Sequence, residues 1–258
     1  EGCSFNACAF CGFYRDRRFR VKSPDEFRRH IAQVKAFLGR GLSLRRSIFL
    51  GDANALLLPQ PALLDIFDAL HQAFDLPSAR PVQAAGAHDR PAMKGVYSFI
   101  DAFSTGRKSS ADFAEMGARG LRRVYVGLET GDAELLKFLG KPNTPEDVAR
   151  LVSRLKQAGL SVGVIVLIGA GGRRFARQHV AHTIAALNAM PLDAGDVVYL
   201  SELIDYPGSA YAQQAALAGI EDLSVEEMGE QTRIIREGAR RAGAGPLVSY
   251  YDVREFVY

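Results

Sequence analysis

Three cysteines stand close together at the start of the chain. Cys3, Cys8 and Cys11 are the only cysteines among 258 residues, and their spacing is C-x4-C-x2-C. Such short spacing lets one loop bring three thiolates to a single point, and thiolates are preferred ligands of soft metals and iron–sulfur clusters. An odd number of cysteines within one short segment does not form a disulfide framework. The pattern therefore predicts metal or cluster ligation.

The residues leave three explanations for this loop open. A [4Fe-4S] cluster on three protein ligands keeps one iron available for a small molecule, which suits chemistry better than electron storage. A structural zinc ion needs four ligands, and the nearest histidine, His30, falls inside a predicted helix. Three buried free thiols are the third explanation, but the loop has glycine and polar residues rather than a core-like composition. We favour the cluster.

Composition and charge exclude other classes. No apolar run approaches the ~20 residues of a membrane-spanning helix, and no stretch has the pattern of a secretory signal. Lys and Arg number 32 against 29 Asp and Glu, and this net charge of +3 is too small to require nucleic acid or an anionic membrane. We expect no membrane partner and a cytoplasmic location, since oxygen-sensitive clusters suit a reducing compartment.

The elements that must position the cysteines alternate along the chain. A capping box of Ser23, Pro24 and Glu26 opens the first helix, which ends at Gly39. Five apolar segments between helices are predicted strands: 47–51, 96–100, 123–128, 161–168 and 196–200. Strands separated by helices of ten or more residues pair in parallel through right-handed crossovers. The pattern predicts an α/β fold, either a barrel or a doubly wound sheet.

Functional groups of both architectures lie at the carboxyl ends of the strands. Leu50–Asn54 and Gly127–Gly131 follow predicted strands, and each contains a carboxylate that also fits an ordinary turn or helix cap. The glycine-rich exit at Gly169–Gly172 fits a phosphate cradle at a helix N-terminus, although this signal is weak without a recognised phosphate-loop pattern. These three segments are the candidate partners of the cysteine loop.

Taken together, the motifs resemble the radical S-adenosylmethionine (SAM) superfamily. In that family a three-cysteine loop after the first barrel strand holds a [4Fe-4S] cluster, and the open iron is chelated by the amino and carboxylate groups of SAM. The commonest spacing there is C-x3-C-x2-C, so the extra residue between Cys3 and Cys8 is a departure, while the C-x2-C half is intact. The resemblance implies that Cys3, Cys8 and Cys11 ligate the cluster and that Phe10 packs near the adenine.

The resemblance continues beyond the cysteines. The turn at Gly51–Asn54 is similar to the family's Gly-Gly-Glu turn, which binds the SAM amino group. Gly127–Gly131 looks like the Gly-Leu-Glu-Ser/Thr-Gly segment, whose carboxylate contacts the ribose hydroxyls or a neighbouring polar group. Gly163–Gly169 is similar to the fifth-strand segment that flanks adenine. The implied SAM-contacting residues are Phe10, Gly51, Asp52, Asn54, Glu129, Gly163, Ile165, Leu167 and Gly169.

The family also implies an architecture. It is a partial parallel (β/α)6 TIM-type barrel, which we expect to form a single domain over residues 1–258 with 206–258 as a mainly helical C-terminal part. The strand that precedes the cysteine loop in the family is missing from this sequence, so we expect an N-terminal extension in the parent protein.

The implied function is reductive cleavage of SAM to a 5′-deoxyadenosyl radical that abstracts hydrogen from a substrate the residues do not identify. A flavodoxin or ferredoxin would donate the electron. Alternatives are a tRNA-modifying radical SAM enzyme, a non-catalytic iron–sulfur electron-transfer protein and a zinc-stabilised barrel. A basic run after the cysteines fits a solvated face, an electron-donor docking site or RNA; its members are Arg15, Arg17, Arg18, Arg20 and Lys22.

Other polar residues rank lower. Ser104 and Lys108 follow the strand at 96–100 and are candidates for contact with SAM or substrate, although we favour a solvated basic turn. Arg173 is a candidate partner for a carboxylate of SAM or substrate. His179 and His182 lie three residues apart on one predicted helix, and we expect both on its outer surface rather than on a metal.

Overall fold

A parallel sheet of six strands, with helices between them, forms the body of the molecule. The computed structural model describes residues 1–79, 90–104, 108–205, 208–239 and 245–251. The strands are β1 (Ile48–Leu50), β2 (Val96–Ile100), β3 (Leu121–Glu129), β4 (Ser161–Ile168), β5 (Val197–Glu202) and β6 (Leu247–Tyr250). The helices are α1 (Pro24–Leu38), α2 (Gln60–Ala73), α3 (Ser110–Ala118), α4 (Ala133–Phe138), α5 (Pro145–Gln157), α6 (Gly172–Ala189), α7 (Ala210–Leu217) and α8 (Val225–Gly238).

Strand order follows the sequence from β1 to β6, and every adjacent pair is parallel. The sheet is not closed, because β1 and β6 form its two edges. This is the α/β arrangement of a partial TIM-type barrel, which confirms the predicted fold class. None of the described helices is long and apolar enough to cross a membrane.

The strands turn alternate side chains to opposite faces of the sheet. One face packs under the helices and forms the main core, with Val124, Val126, Val164 and Val166 fully buried in its centre. The other face carries aromatic rings in mutual contact, at centroid distances of 4.9–6.1 Å; these are Phe49, Phe99, Tyr125, Tyr199 and Tyr251. The sheet thus separates an aliphatic core from an aromatic inner face.

Local signals located the first helix correctly. The Ser23 hydroxyl accepts from the backbone N–H of Glu26, and the Glu26 carboxylate accepts from the Ser23 N–H, which completes the capping box. The prediction of a mainly helical C-terminal part missed β6, whose four residues pair with β5. A run this short has too few residues to show a period of two, so its pairing decides its structure.

A buried carboxylate joins the starts of β4 and β5. Asp196 lies just before β5, and its fully buried side chain accepts from the backbone N–H groups of Val162 and Asp193 at 2.7 and 2.8 Å. The ammonium of Lys156, on α5, donates to the same carboxylate at 2.8 Å. Three donors therefore compensate the burial of this charge.

We expect Asp196→Asn to lower the free energy of unfolding by about 2–3 kcal/mol, because the amide cannot accept from all three donors and leaves the ammonium without its buried partner. Asp193→Asn is the matched control, since Asp193 contacts the same lysine from a side chain that is 60% exposed. Its cost should stay below about 1 kcal/mol. Urea unfolding of both variants measures the difference; equal losses would contradict the assignment.

Candidate functional site

Backbone contacts hold the cysteine loop against the carboxyl end of the sheet. The N–H of Ala9 donates to the carbonyl of Leu139 at 2.9 Å, and the N–H of Tyr211 donates to the carbonyl of Ala9 at 3.2 Å. Gly140 has φ +70°, and a Cβ there would lie 3.2 Å from the Ala9 nitrogen. The loop is therefore fixed between the segment after α4 and the start of α7.

The loop also carries its own internal bonds. The N–H of Asn6 donates to Cys3 Sγ at 3.3 Å. The guanidinium of Arg15 donates to the carbonyls of Cys8 and Cys11, at 2.6 and 3.2 Å. None of the three cysteines forms a disulfide, and all three are half-buried. Arg15, which the sequence placed in a solvated or docking face, thus fixes the backbone of two cysteines.

The three thiols share one electrostatic environment. Burial raises the pKa of Cys8 to about 12; the ammonium of Lys141 opposes that rise, and Glu129 and the other two thiols add to it. Burial also raises the pKa of Cys11. A metal that binds Cys8 and Cys11 must therefore displace their protons, because only the thiolate ligates.

The donor set fits an iron–sulfur cluster. Three soft sulfur donors in one loop, with no fourth cysteine in the sequence, match a [4Fe-4S] cluster that keeps one iron open. Among the residues that the structure describes, no three His, Cys, Asp or Glu side chains form a site for a single metal ion. The assignment of the cysteines rests on their chemistry and their position at the strand ends.

A buried ion pair lies beside the thiols. Glu129 ends β3, and its Oε1 accepts from Lys141 Nζ at 2.9 Å; the two side chains are 10% and 8% exposed. The same ammonium donates to the carbonyl of Gly127 at 2.8 Å. A Cβ at Gly127 would lie 2.1 Å from the Glu129 carboxylate, so the glycine makes room for it. Sequence analysis identified Glu129 as a candidate but missed Lys141, which lies twelve positions further along the chain.

Two of the predicted adenine-flanking residues, Phe10 from the cysteine loop and Leu167 from β4, belong to one apolar cluster. Phe10 packs against a small apolar cluster whose buried members include Leu167 of β4, Leu139 and Tyr211. Leu167 and Ile165 lie on the face of the sheet that carries the aromatic rings. The fold therefore brings Phe10, from the cysteine loop, and Leu167 into one apolar surface at the strand end.

Gly163 in β4 and Gly169 directly after it are glycines for different structural reasons. A Cβ at Gly163 would lie 2.2 Å from the ring of Tyr125, so the missing side chain accommodates a residue of the neighbouring strand. Gly169 has φ +82°, and its N–H donates to the side chain of Gln231 on α8 at 2.8 Å. The sequence had implied contact of both glycines with SAM, and these contacts place protein atoms against them.

The turn after β1 is engaged with other parts of the chain. Asp52, which follows Gly51, accepts from the backbone N–H of Gly2 at 2.7 Å. The amide of Asn54 donates to Ser104 Oγ at 3.0 Å and to the carboxylate of Asp101. Asp52 thus binds the start of the cysteine loop, and Asn54 links the exits of β1 and β2.

Two lower-ranked expectations were wrong, and a third residue is engaged within the protein. His179 is fully buried rather than on the outer surface of its helix, whereas His182 is 55% exposed and contacts Asp132. Lys108 is buried and donates to the carbonyl of Leu58 at 2.8 Å, so it does not belong to a solvated turn. Arg173 forms exposed ion pairs with the carboxylates of α8 and the turn before it.

The burial of His179 predicts a pH effect on stability. Burial lowers the pKa of His179 to about 4, although the backbone carbonyl of Leu167 opposes this shift. The unfolded chain therefore binds an extra proton between pH 6.5 and 4, so stability falls as the pH drops through this range. We expect about 2 kcal/mol less stability at pH 5 than at pH 7 from this residue. Denaturant unfolding at both values should show that this part of the pH dependence is missing in His179→Leu.

Comparison with known proteins agrees with this geometry. The family model of the radical SAM superfamily matches residues 1–185. The structure of HydG, a maturase of the [FeFe]-hydrogenase, has a TM-score of 0.54 at 13% identity and covers 90% of this chain and 46% of that chain. A search of curated proteins gives no match.

Two further solved structures share the fold. HemN from Escherichia coli, a coproporphyrinogen III oxidase and radical SAM enzyme, has a TM-score of 0.57 at 11% identity and covers 90% of this chain and 50% of that chain. Elp3 from the archaeon Methanocaldococcus infernus, with an N-terminal deletion, has a TM-score of 0.57 at 13% identity, with coverages of 88% and 52%. The chain spans about half the length of these structures.

The fold and the cysteine site thus define a partial-barrel protein with a three-cysteine loop at the carboxyl ends of its strands. The chain belongs to the radical SAM superfamily. Members of this superfamily are enzymes that use a [4Fe-4S] cluster and SAM.

Proposed function

We propose that residues 1–258 act as one radical SAM domain that cleaves SAM reductively and uses the resulting radical to remove hydrogen from a substrate. Cys3, Cys8 and Cys11 would hold the cluster, which would supply the one-electron reduction that splits SAM into methionine and the 5′-deoxyadenosyl group that takes hydrogen from the substrate. The observation that carries the proposal is the loop of Cys3, Cys8 and Cys11 fixed beside the buried pair of Glu129 and Lys141.

The chain's own residues have distinct parts in this proposal. Cys3, Cys8 and Cys11 hold the cluster, and Arg15 orders the carbonyls of the last two. The Glu129 carboxylate uses Oε1 for Lys141, and its second oxygen is the candidate acceptor for the SAM ribose hydroxyls. Phe10 and Leu167 supply the apolar surface for adenine. The aromatic inner face of the sheet is the candidate surface for the substrate.

An electron donor is the partner that this chemistry requires, and we propose a flavodoxin or ferredoxin in the cytoplasm. The basic run offers less free charge than its sequence indicates. Arg15 is used inside the cysteine loop, Arg17 pairs with Asp16, and Arg20 and Lys22 pair with Glu1. These ion pairs lower the positive charge that the run offers to an acidic donor protein or to RNA alike.

Anaerobic reconstitution with iron and sulfide tests the proposal. Electron paramagnetic resonance of the reduced protein should show a [4Fe-4S]⁺ signal that changes when SAM is added, because SAM binds the open iron. A cluster signal indifferent to SAM would favour electron transfer without SAM chemistry. Zinc in place of iron in the purified protein, with no cluster formed, would overturn the proposal.

A further inference from the structure

Glu129 has a backbone conformation that its surroundings must enforce. Its φ is +61°, in the left-handed region that residues other than glycine rarely adopt. Such residues persist only where the surrounding structure holds them, and they concentrate at functional sites. The bond to Lys141 fixes the Glu129 carboxylate, whereas the backbone conformation depends on the residues that follow.

Thr130, the next residue, is held on every side. It is fully buried, and its N–H donates to the carbonyl of Leu128 at 2.8 Å. Its Oγ1 accepts from the N–H of Asp132 at 3.0 Å and lies 2.8 Å from Nδ1 of His179 on α6. A hydroxyl that already accepts a backbone N–H has its own proton to donate. In this arrangement Thr130 donates to Nδ1 of a neutral imidazole whose proton is on Nε2.

The same face of α6 also contacts Gly131. The N–H of Gly131 donates to Oγ1 of Thr183 at 2.9 Å, one helical turn after His179. A Cβ at Gly131 would lie 2.2 Å from the carbonyl oxygen of His182, so the helix and the segment are in direct backbone contact. His179 and Thr183 therefore bind the two residues that follow Glu129.

His179 is a polar residue at a fully buried position, and its hydrogen bond with Thr130 is one that an apolar residue could not make. The backbone carbonyl of Leu167 interacts with the ring, but Nε2 makes no hydrogen bond of good geometry within the part of the chain that the structure describes. A buried polar atom without a partner lowers stability, so a leucine of similar size would suit a purely structural position better. The bond from Thr130 to Nδ1 is the contact that a leucine would remove.

We propose that His179, assisted by Thr183, is a positioning residue that holds Thr130 and Gly131 so that Glu129 keeps its left-handed backbone and presents its carboxylate to SAM. This inference rests on the proposed function for its second half. Its first half, the link from α6 to the conformation of residues 129–131, is independent of SAM.

Three variants separate positioning from general stability. His179→Leu removes the bond to Thr130, and His179→Asn keeps a polar group near the place of Nδ1. Leu187→Ala is the matched control, since Leu187 is a buried core residue of the same helix and its truncation lowers the thermal midpoint without a change at the segment. All three are reconstituted anaerobically and checked for equal iron and sulfide.

Amide hydrogen exchange without SAM tests the first half. We expect His179→Leu to raise the exchange of the Gly131 and Asp132 amides by about tenfold or more relative to Leu187→Ala, and His179→Asn to restore most of the protection. Equal exchange in His179→Leu and Leu187→Ala would overturn the inference, whatever the protein does with SAM.

SAM affinity tests the second half. His179→Leu should raise the Kd for SAM by about tenfold, as the loss of a supporting contact commonly does. In a Glu129→Gln background the same substitution should add little, because its effect passes through Glu129. Full additivity would overturn the link to Glu129. If the wild-type protein binds no SAM while the exchange result holds, the proposed function fails and the positioning by His179 stands.

Discussion

Cys8→Ala is expected to abolish cluster binding and, with it, SAM cleavage. The reconstituted wild-type protein should contain about four irons and four sulfides per chain, and the variant less than about a tenth of this. Two thiolates cannot replace three, because the fourth iron is reserved for SAM and no other cysteine exists in the sequence. Iron and sulfide analysis measures the first effect, and chromatography of 5′-deoxyadenosine measures the second.

The fold itself should survive this substitution. The backbone of the loop is anchored through Ala9 to Leu139 and Tyr211, and these bonds do not use the Cys8 side chain. Without iron, the thermal midpoints of Cys8→Ala and the wild type should therefore agree closely. Arg40→Ala is the control, since Arg40 is exposed and lies outside the cysteine loop and the basic run. Wild-type SAM cleavage in Cys8→Ala would refute the assignment of the cysteines.

Breaking the pair of Glu129 and Lys141 should have the second-largest effect. Lys141→Met leaves a buried carboxylate without its cation, and we expect a loss of about 3 kcal/mol in the free energy of unfolding. Glu129→Met leaves the buried ammonium and should cost a similar amount. Both side chains are at least nine-tenths buried, so little solvent screening reduces these values.

The double variant distinguishes a charge effect from lost packing. Glu129→Met with Lys141→Met removes both charges, and its cost should be at least about 2 kcal/mol smaller than the sum of the two single losses. SAM affinity should remain low in all three variants, because each removes or displaces the Glu129 carboxylate. Additive losses in urea unfolding would show that the two charges are not coupled.

Elements with local causes were predictable from the sequence. The first helix starts at Pro24, as its capping box predicted, because Ser23 and Glu26 bond each other's backbone without help from distant residues. The five predicted strands are also present, since buried apolar runs between helices have few other ways to satisfy their backbone. β6 escaped prediction because its four residues become a strand by pairing with β5.

Side-chain partners far apart in the sequence were not predictable. The helix pattern placed His179 on a surface, but α6 buries it against Thr130, 49 residues earlier. The resemblance implies that Asp52 contacts SAM, and it did not indicate that this carboxylate also accepts from the backbone N–H of Gly2, 50 residues earlier. The charge of Arg15 fitted a solvated face, an electron-donor docking site or RNA, whereas its guanidinium donates to the carbonyls of Cys8 and Cys11.

The sequence alone determined the chemistry: three thiols at short spacing, carboxylates and glycines after strands, and a parallel α/β fold to bring them together. These follow from residue type and from periodicity, which act over a few residues. The tertiary structure decided which groups are already engaged. It paired Glu129 with Lys141, enclosed Thr130 with His179 and filled the space above Gly163 with Tyr125. Such pairings depend on which helix face meets which strand end, and that is set by packing of the whole sheet.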